Sequence, residues 1–432
     1  MSARNRLGIG LLGLGTVGSG VARILPTKGE ALFGHLGASL AIRRVLVRDP
    51  SKRRAVQIDR ACLTTNPADV LDDPEIDIVV EVIGGEDPAL GFIQRAIANG
   101  KHVVTANKEV IAKHGPELVR AAAERGVAVK YEASVGGGIP IIAVFQHDLS
   151  ANEITEIRAI INGTTNYILT KMASEGSEFR AALAEAQALG YAEADPAADV
   201  DGHDAVYKLA ILSSLGFHAE IRPDQIYREG IRRLSARDFE YAANLGYAIK
   251  LLAIARNSSR GVEVRVHPTL IPRDRLLAKV DGVFNGIEVE GDLVGRLMLY
   301  GRGAGAEPTT SAVVADVVDL VQNLVRGVSP ASAEPLRRPL PVVPMDHVSS
   351  RYYLRLIVAD RPGVLAQIAR EFGDHTISIA SVIQVAANAD AGTAELVVMT
   401  HHASESAMQQ TVSAIARLAV VPTVASFLRV ED

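Results

Sequence analysis

Between Gly190 and Lys208 the chain places five carboxylates, Glu193, Asp195, Asp199, Asp201 and Asp204, ahead of one lysine. Asp204 and Lys208 are four residues apart, the spacing of a helical ion pair, and Asp201 is suited to N-cap that helix. Lys208 runs into Leu209-Ala210-Ile211-Leu212, so its surroundings are predicted to be buried. A desolvated lysine has a depressed pKa and can exchange a proton with a substrate, while acids beside it suit an ammonium group. A second lysine, Lys108, follows Thr105-Ala106-Asn107 at the end of a predicted strand, where it meets cofactor or substrate or else pairs at the surface. Asn162-Gly163-Thr164-Thr165-Asn166 ends another strand and opens a helix, offering amides and hydroxyls to a carboxylate or simply capping. An ammonium site facing an anion site describes a pocket for an α-amino acid.

Gly13-Leu14-Gly15-Thr16-Val17-Gly18 follows an apolar strand and opens a helix, the context in which GxGxxG means dinucleotide binding. Gly13 permits the turn, Gly15 lets backbone approach a pyrophosphate, Gly18 allows close packing, and Thr16 and Val17 begin the helix whose N-terminus attracts phosphate. The second strand ends in Arg48-Asp49, with Lys52 and Arg53 just after. Arg48 with Lys52 suits a 2′-phosphate and favours NADP, whereas Asp49 as a ribose ligand would favour NAD. Glu132-Ala133-Ser134-Val135-Gly136-Gly137-Gly138-Ile139 offers a carboxylate and several carbonyls. Such all-oxygen ligation suits a hard cation, and an interdomain hinge is the plainer alternative.

These residues need a scaffold, and 432 residues predict about three domains. Short apolar runs at 8–12, 42–47, 76–83, 101–105 and 127–131 alternate with helical stretches, which argues for a doubly wound parallel α/β sheet of Rossmann type. This first domain is expected over 1–135, completed by 303–327, whose helix is apolar. Strands near 154–161, 262–267, 286–290 and 293–300, with helices near 179–189 and 204–215, predict an α+β domain over 136–302. A proline-rich linker, 328–350, is expected to be an unpacked spacer. The tail, 351–432, reads strand–helix–strand–strand–helix–strand, a ferredoxin-like module. A net charge of −5 argues against nucleic acid. No apolar run is long enough for a membrane span, and Cys62 as the sole cysteine excludes a disulfide framework. The glycines after Leu7 break what would otherwise imitate a signal peptide, so the chain is expected to be cytoplasmic.

With Ala186, Gly190, Asp195, Pro196, Asp199, Gly202, Asp204 and Lys208 at fixed spacing, the chain resembles homoserine dehydrogenase, in the monofunctional form that carries an ACT domain. The segments 105–108, 132–140 and 162–169 resemble that family's motifs in the family's order. Ala159, where the family often has glycine, is a departure with no catalytic bearing. The resemblance implies NAD(P)-linked interconversion of L-homoserine and L-aspartate 4-semialdehyde. It makes Lys208 the proton donor and acceptor, sets Lys108 between nicotinamide and substrate, and has Asp199 orient Lys208. It gives Glu193, Asp204, Thr164 and Asn162 to the substrate, and Thr105, Lys108, Gly190, Glu193 and Gly303 to the cofactor. It makes Glu132, with the carbonyls of Val135, Gly137 and Ile139, a site for sodium or a similar monovalent cation. It further implies a homodimer or homotetramer and feedback by threonine at the turn Asp360-Arg361-Pro362-Gly363. Adjacent lysines are expected to lower each other's pKa. Two rivals fit fewer residues: a non-catalytic amino-acid sensor, which needs no buried lysine pair, and a dehydrogenase acting at an amine carbon, which would release ammonia.

Overall fold

Six strands form the first layer, and the central ones bury their side chains on both faces, the signature of a parallel sheet covered by helices. The structure is a computed structural model that describes residues 6–54, 56–329, 340–388 and 391–431. In it β1 (Arg6–Leu12), β2 (Ser39–Leu46), β3 (Leu63–Thr64), β4 (Ile78–Glu81), β5 (His102–Thr105) and β6 (Val129–Lys130) pair in the order β3-β2-β1-β4-β5-β6. Every pairing is parallel, so the doubly wound fold class holds. Helices α1 (Thr16–Phe33), α2 (Ala89–Ala98) and α3 (Lys108–Glu124) make the crossovers. The order reverses between β1 and β4, which puts a ligand crevice at their carboxyl ends.

The second layer begins with β7 (Ile154–Ile160), followed by α4 (Gly163–Glu175), α5 (Phe179–Ala188) and α6 (His203–Gly216). The two-residue β8 (Tyr227–Arg228) and α7 (Ala236–Asn244) lead into the long antiparallel pair β9 (Tyr247–Ser258) and β10 (Gly261–Pro272), then β11 (Phe284–Gly291) and β12 (Gly295–Arg302). The chain then returns to the first layer through α8 (Ala306–Val325), which buries Val313, Val317, Leu320 and Val321 beside α1. At the crossing of α1 and α8 a side chain on Gly20 would meet the Thr310 hydroxyl at 2.1 Å, so glycine is required there.

The tail forms β13 (Ser349–Ala359), α9 (Val364–Asp374), β14 (Ile379–Asn388), β15 (Thr393–Thr400), the short β16 (Ala403–Ser404), α10 (Glu405–Ile415) and β17 (Thr423–Val430), the ferredoxin-like order that the sequence predicts. It is not a separate body on a spacer. Strand β17 pairs in parallel with β10, Thr269 opposite Arg429 and Leu270 opposite Val430. One sheet therefore runs β12-β11-β7-β9-β10-β17-β13-β15-β14. The proline-rich stretch also departs from expectation where it is described. Val343 and Val348 are buried, and the Pro341 carbonyl and Val343 amide both bond Val262. Proline lacks a donor but keeps its acceptor, and this segment uses the acceptor to edge the sheet. The residues between 330 and 339 lie outside the described residues.

Candidate active site

The nucleotide half of the site starts where β1 ends. Gly13 takes φ +102 and donates its amide to the Leu46 carbonyl at 3.1 Å, bending the chain back into α1. A side chain on Gly18 would lie 2.2 Å from the Gly13 carbonyl oxygen, whereas Gly15 faces open space. No side chain caps α1 and its first turn holds no acid, so the amides opened by Thr16 and Val17 remain available to an anion. A cavity of about 840 Å³ opens there, lined by Gly13, Gly15, Arg48, Lys52 and Gly84 among others. Asp49 is committed elsewhere: its carboxylate accepts from the Ser51 hydroxyl and amide at 2.6 and 2.8 Å, which hold its pKa below the usual range. Arg48 and Lys52 have no ion-pair partner among the described residues.

A second cavity of about 480 Å³ shares Val82, Ile83 and Gly84 with the first. Val17, Lys108, Glu193, Asp199, Asp204, Lys208, Gly137 and Gly303 all border it. At its floor Asp204 is buried between two cations. Lys208 Nζ donates to Asp204 Oδ2 at 2.7 Å and to the Ile161 carbonyl at 2.8 Å, and Lys108 pairs with Asp204 Oδ1. Burial would raise the Asp204 pKa, but Lys208 and Lys108 together hold it well below the carboxylate range. The lysines behave oppositely. Burial lowers Lys208, with Lys108 adding to the shift. Lys108 is half-exposed, and although burial opposes it, Asp204, Asp199 and Glu193 raise its pKa. The expectation that each lysine lowers the other therefore holds for Lys208, which Lys108 helps push down, and is corrected for Lys108, where the surrounding acids prevail.

Other expectations about individual residues change in the same way. Asp199 bonds the Asn162 side-chain amide at 2.6 Å, and the same amide reaches Asp204 Oδ2 at 2.9 Å. Asp199 thus reaches Lys208 through Asn162 rather than by a direct bond. The Asn162 oxygen caps α4 at the Thr165 amide, 2.8 Å away, which leaves little of this side chain for a ligand. Thr164 donates to the Tyr191 carbonyl at 2.7 Å, tying down the acid-rich loop. Thr105 is buried and gives its hydroxyl to Glu81 at 2.6 Å, away from the cavity. Gly190 ends α5 at φ +76 and does not border the cavity. Asp201 does not cap α6. Gly202 intervenes in a left-handed conformation and Asp201 pairs with Arg232.

Glu132 is buried, and its two oxygens accept from the Ile142 and Ala143 amides at 2.9 and 2.8 Å. Its own amide donates to the buried Asp316 at 2.9 Å, a carboxyl pushed up to about 7 mainly by burial. Neither carboxylate meets a cationic side chain within ion-pair distance among the described residues. Two buried carboxyls without an ion-pair partner among the described residues, with Lys130 acting on both only at a distance, are compatible with a hard cation held by Glu132 and carbonyls at 135–139. Val135 and Ile139 are buried; the Ile139 carbonyl already accepts from the Ile141 amide at 2.8 Å, and Gly137 packs on the Gly303 carbonyl.

Sequence reasoning missed two contributors. Glu81 is fully buried and gathers the Thr105 hydroxyl with the Ile83 and Gly84 amides, shaping the floor shared by the two cavities. Gly84 and Gly85 border the site at the end of β4. A glycine pair just past a parallel strand was the available signal.

Three family comparisons match the chain. The homoserine dehydrogenase NAD-binding domain matches residues 13–132, the homoserine dehydrogenase family residues 140–318, and the ACT domain residues 352–420. A homoserine dehydrogenase from Synechocystis is 46% identical over 98% of this chain and 99% of its own length. The crystal structure of a homoserine dehydrogenase from Thiobacillus denitrificans superposes with a TM-score of 0.91 at 45% identity, covering 99% of this chain and 98% of that one. A hyperthermophilic archaeal homoserine dehydrogenase in complex with NADPH is similar at 28% identity and a TM-score of 0.63, over 74% of this chain and 98% of that one.

Proposed function

Because this chain belongs to the homoserine dehydrogenase family and is an oxidoreductase using a nicotinamide cofactor, we propose that Lys208 carries the proton between protein and substrate oxygen. The single observation behind this reading is the placement of Lys208 Nζ. It is buried at the floor of the cavity, bonded to Asp204 and the Ile161 carbonyl, with its pKa lowered. When bound, the reduced cofactor supplies a hydride to the aldehyde carbon of aspartate 4-semialdehyde. As negative charge develops on the aldehyde oxygen, the Lys208 ammonium donates its proton there; in homoserine oxidation the free amine takes the proton back. Lys108, kept cationic by Asp204, supplies fixed positive charge in the same cavity. Glu193 and Asp199 would meet the substrate ammonium, with Asn162 and Thr164 acting by holding the loop and the Asp204 carboxylate.

The cofactor is read as NADP. Arg48 and Lys52 have no ion-pair partner among the described residues at the larger cavity while Asp49 is tied into its own turn, and the archaeal relative is described with NADPH. Gly13, Gly15, Thr16, Val17 and Gly18 would hold the pyrophosphate, with Gly303 facing the nicotinamide end. Glu132 and the carbonyls of Val135, Gly137 and Ile139 would hold sodium. Threonine is the effector proposed for the ACT domain, at the turn where Gly363 (φ +87) opens α9 with no side-chain cap. A homodimer or homotetramer is the proposed assembly. The test is NADPH oxidation with aspartate 4-semialdehyde by the wild type and Lys208→Ala. Loss of turnover with retained NADPH binding is expected, and full activity in the variant would overturn the assignment.

A further inference from the structure

Behind β7, on the side of the sheet away from the reacting groups, the polar side chains form a second network. Three arginines from three strands, Arg265 buried, Arg158 mostly buried and Arg256 about a third exposed, converge on one carboxylate, Glu431, the residue that follows β17. Arg265 of β10 lies 2.7 Å from Glu431 Oε1, and Arg256 of β9 and Arg158 of β7 lie 3.2 and 3.6 Å from Oε2. Arg158 also pairs with Glu156 at 2.8 Å and with Glu288 of β11 at 3.2 Å. Glu431 is buried, its amide donates to the Leu270 carbonyl at 2.9 Å, and the three arginines keep its pKa low against the effect of burial. Removing one member of such a set strands the others without compensation.

The strand that carries Arg158 leads directly into the site. Ile161, three residues on, gives the carbonyl that accepts from Lys208 Nζ, and Asn162 gives the amide that joins Asp199 to Asp204. A rigid extended segment transmits an axial shift over that distance, since each residue advances it about 3.3 Å and its sheet bonds resist slip. We infer that Glu431 is a positioning residue for the dehydrogenase reaction, supplied by the C-terminal module, which acts through Arg158 to hold the end of β7 against Lys208. The site is thereby braced by the residue that follows β17, and a change in how β17 sits on β10 reaches the proton-transfer amine in three links: Glu431 to Arg158, Arg158 along the backbone to Ile161, and the Ile161 carbonyl to Lys208. This inference rests on the reading that Lys208 carries the proton.

The experiment uses the full-length chain. Glu431→Gln keeps the shape and removes the charge. It is expected to lower kcat about 5- to 20-fold with the KM for NADPH unchanged, and to displace the Lys208 limb of the pH profile to lower pH. That direction follows because the ammonium loses its carbonyl acceptor. The other groups facing it, Asp204 on α6, Lys108 on α3 and Asp199 on the short helix Ala197–Val200, stay in place. Glu431→Asp is expected to restore the pH limb. Arg158→Lys keeps the charge without the reach to both Glu431 and Glu288, and is expected to reproduce the slow, displaced profile. In the double variant the two losses should not multiply. Wild-type kcat and pH profile in Glu431→Gln or in Arg158→Lys would overturn the inference, as would multiplying effects. Full turnover in Lys208→Ala would instead sink the reading beneath it.

Discussion

The amines of Lys108 and Lys208 grip opposite oxygens of one carboxylate, Asp204, from two different helices. That sharing divides their labour. The shielded amine is pushed toward neutrality by burial, and the half-exposed one is held cationic by the acids around it. One lysine is thereby prepared to give up a proton and the other to stay charged.

Replacing Lys208 with alanine should therefore cost far more than replacing Lys108. A positioned proton donor contributes about 10²- to 10⁴-fold, so Lys208→Ala is expected to lose at least ~100-fold in kcat. Its NADPH affinity, read by fluorescence titration, should stay near wild type. Lys208→Arg should fail as well, because guanidinium does not release its proton in the working pH range. Equal losses in kcat for the Lys108 and Lys208 variants would contradict the division.

The pH dependence has a defined sign. Reduction needs the Lys208 ammonium and oxidation needs the free amine, and the pKa is shifted down from the ordinary lysine value. As pH rises through that pKa, the rate of semialdehyde reduction should fall and that of homoserine oxidation should rise on the same limb. Asp204→Asn removes the charge that favours the ammonium, leaving Lys108 and Asp199 as the charged neighbours. The limb is expected to move to still lower pH in paired rate profiles. Movement upward would contradict the electrostatics.

The glycine loop separates folding from binding. Gly15 faces open space, so Gly15→Ala should fold with an unchanged melting temperature yet bind NADPH at least ~10-fold more weakly, because about 1.4 kcal/mol of lost phosphate contact is tenfold. Gly18→Ala would drive a methyl into the Gly13 carbonyl at 2.2 Å and should lower the melting temperature itself. Calorimetry with and without NADPH reads both.

Cofactor choice should be reversible at two exposed residues. Each charge-assisted hydrogen bond to a 2′-phosphate contributes about 1.5–3 kcal/mol, so Arg48→Ala with Lys52→Ala is expected to raise the KM for NADPH ~10- to 100-fold. The KM for NADH should hardly change. Equal effects on the two cofactors would instead make these residues nonspecific.

Glu132 gives a prediction about ions. With sodium replaced by choline at constant ionic strength, wild-type activity is expected to drop several-fold and return on titrating sodium. Glu132→Gln keeps the residue's size while removing its charge, and should abolish the sodium response. A wild type indifferent to the exchange would remove the cation from the site.

Much of this was legible in the chain because it is written in local spacing: the glycine loop, the strand–helix alternation, the Asp204–Lys208 helical turn and the strand order of the tail. Contacts between distant segments were not. Strand β9 went unread because 247–255 is apolar except for Lys250, and a run buried on both faces has no period to separate strand from helix. Glu81 went unread inside the run 76–83, since nothing near it in sequence announces Thr105 as its partner. The pairing of β17 with β10, which turns an expected tethered module into a continuation of the sheet, depends on residues some 160 positions apart (269 with 429). The proline count likewise said where backbone donors are missing, but not that Pro341 would use its acceptor on Val262.

Helix α8 closes the nucleotide fold from the far side of the second domain, through Thr310 against Gly20 and Asp316 against the Glu132 amide. On a ribosome making about 5–20 residues per second, the glycine-loop half emerges first yet stays open along α1 until this late helix arrives. Apolar residues such as Val21 and Leu25 must wait through the synthesis of an entire intervening domain for part of their cover. Completion of the nucleotide fold is thus a late event in the life of the nascent chain, and a product truncated before residue 306 would leave the ribosome with that flank bare and prone to association.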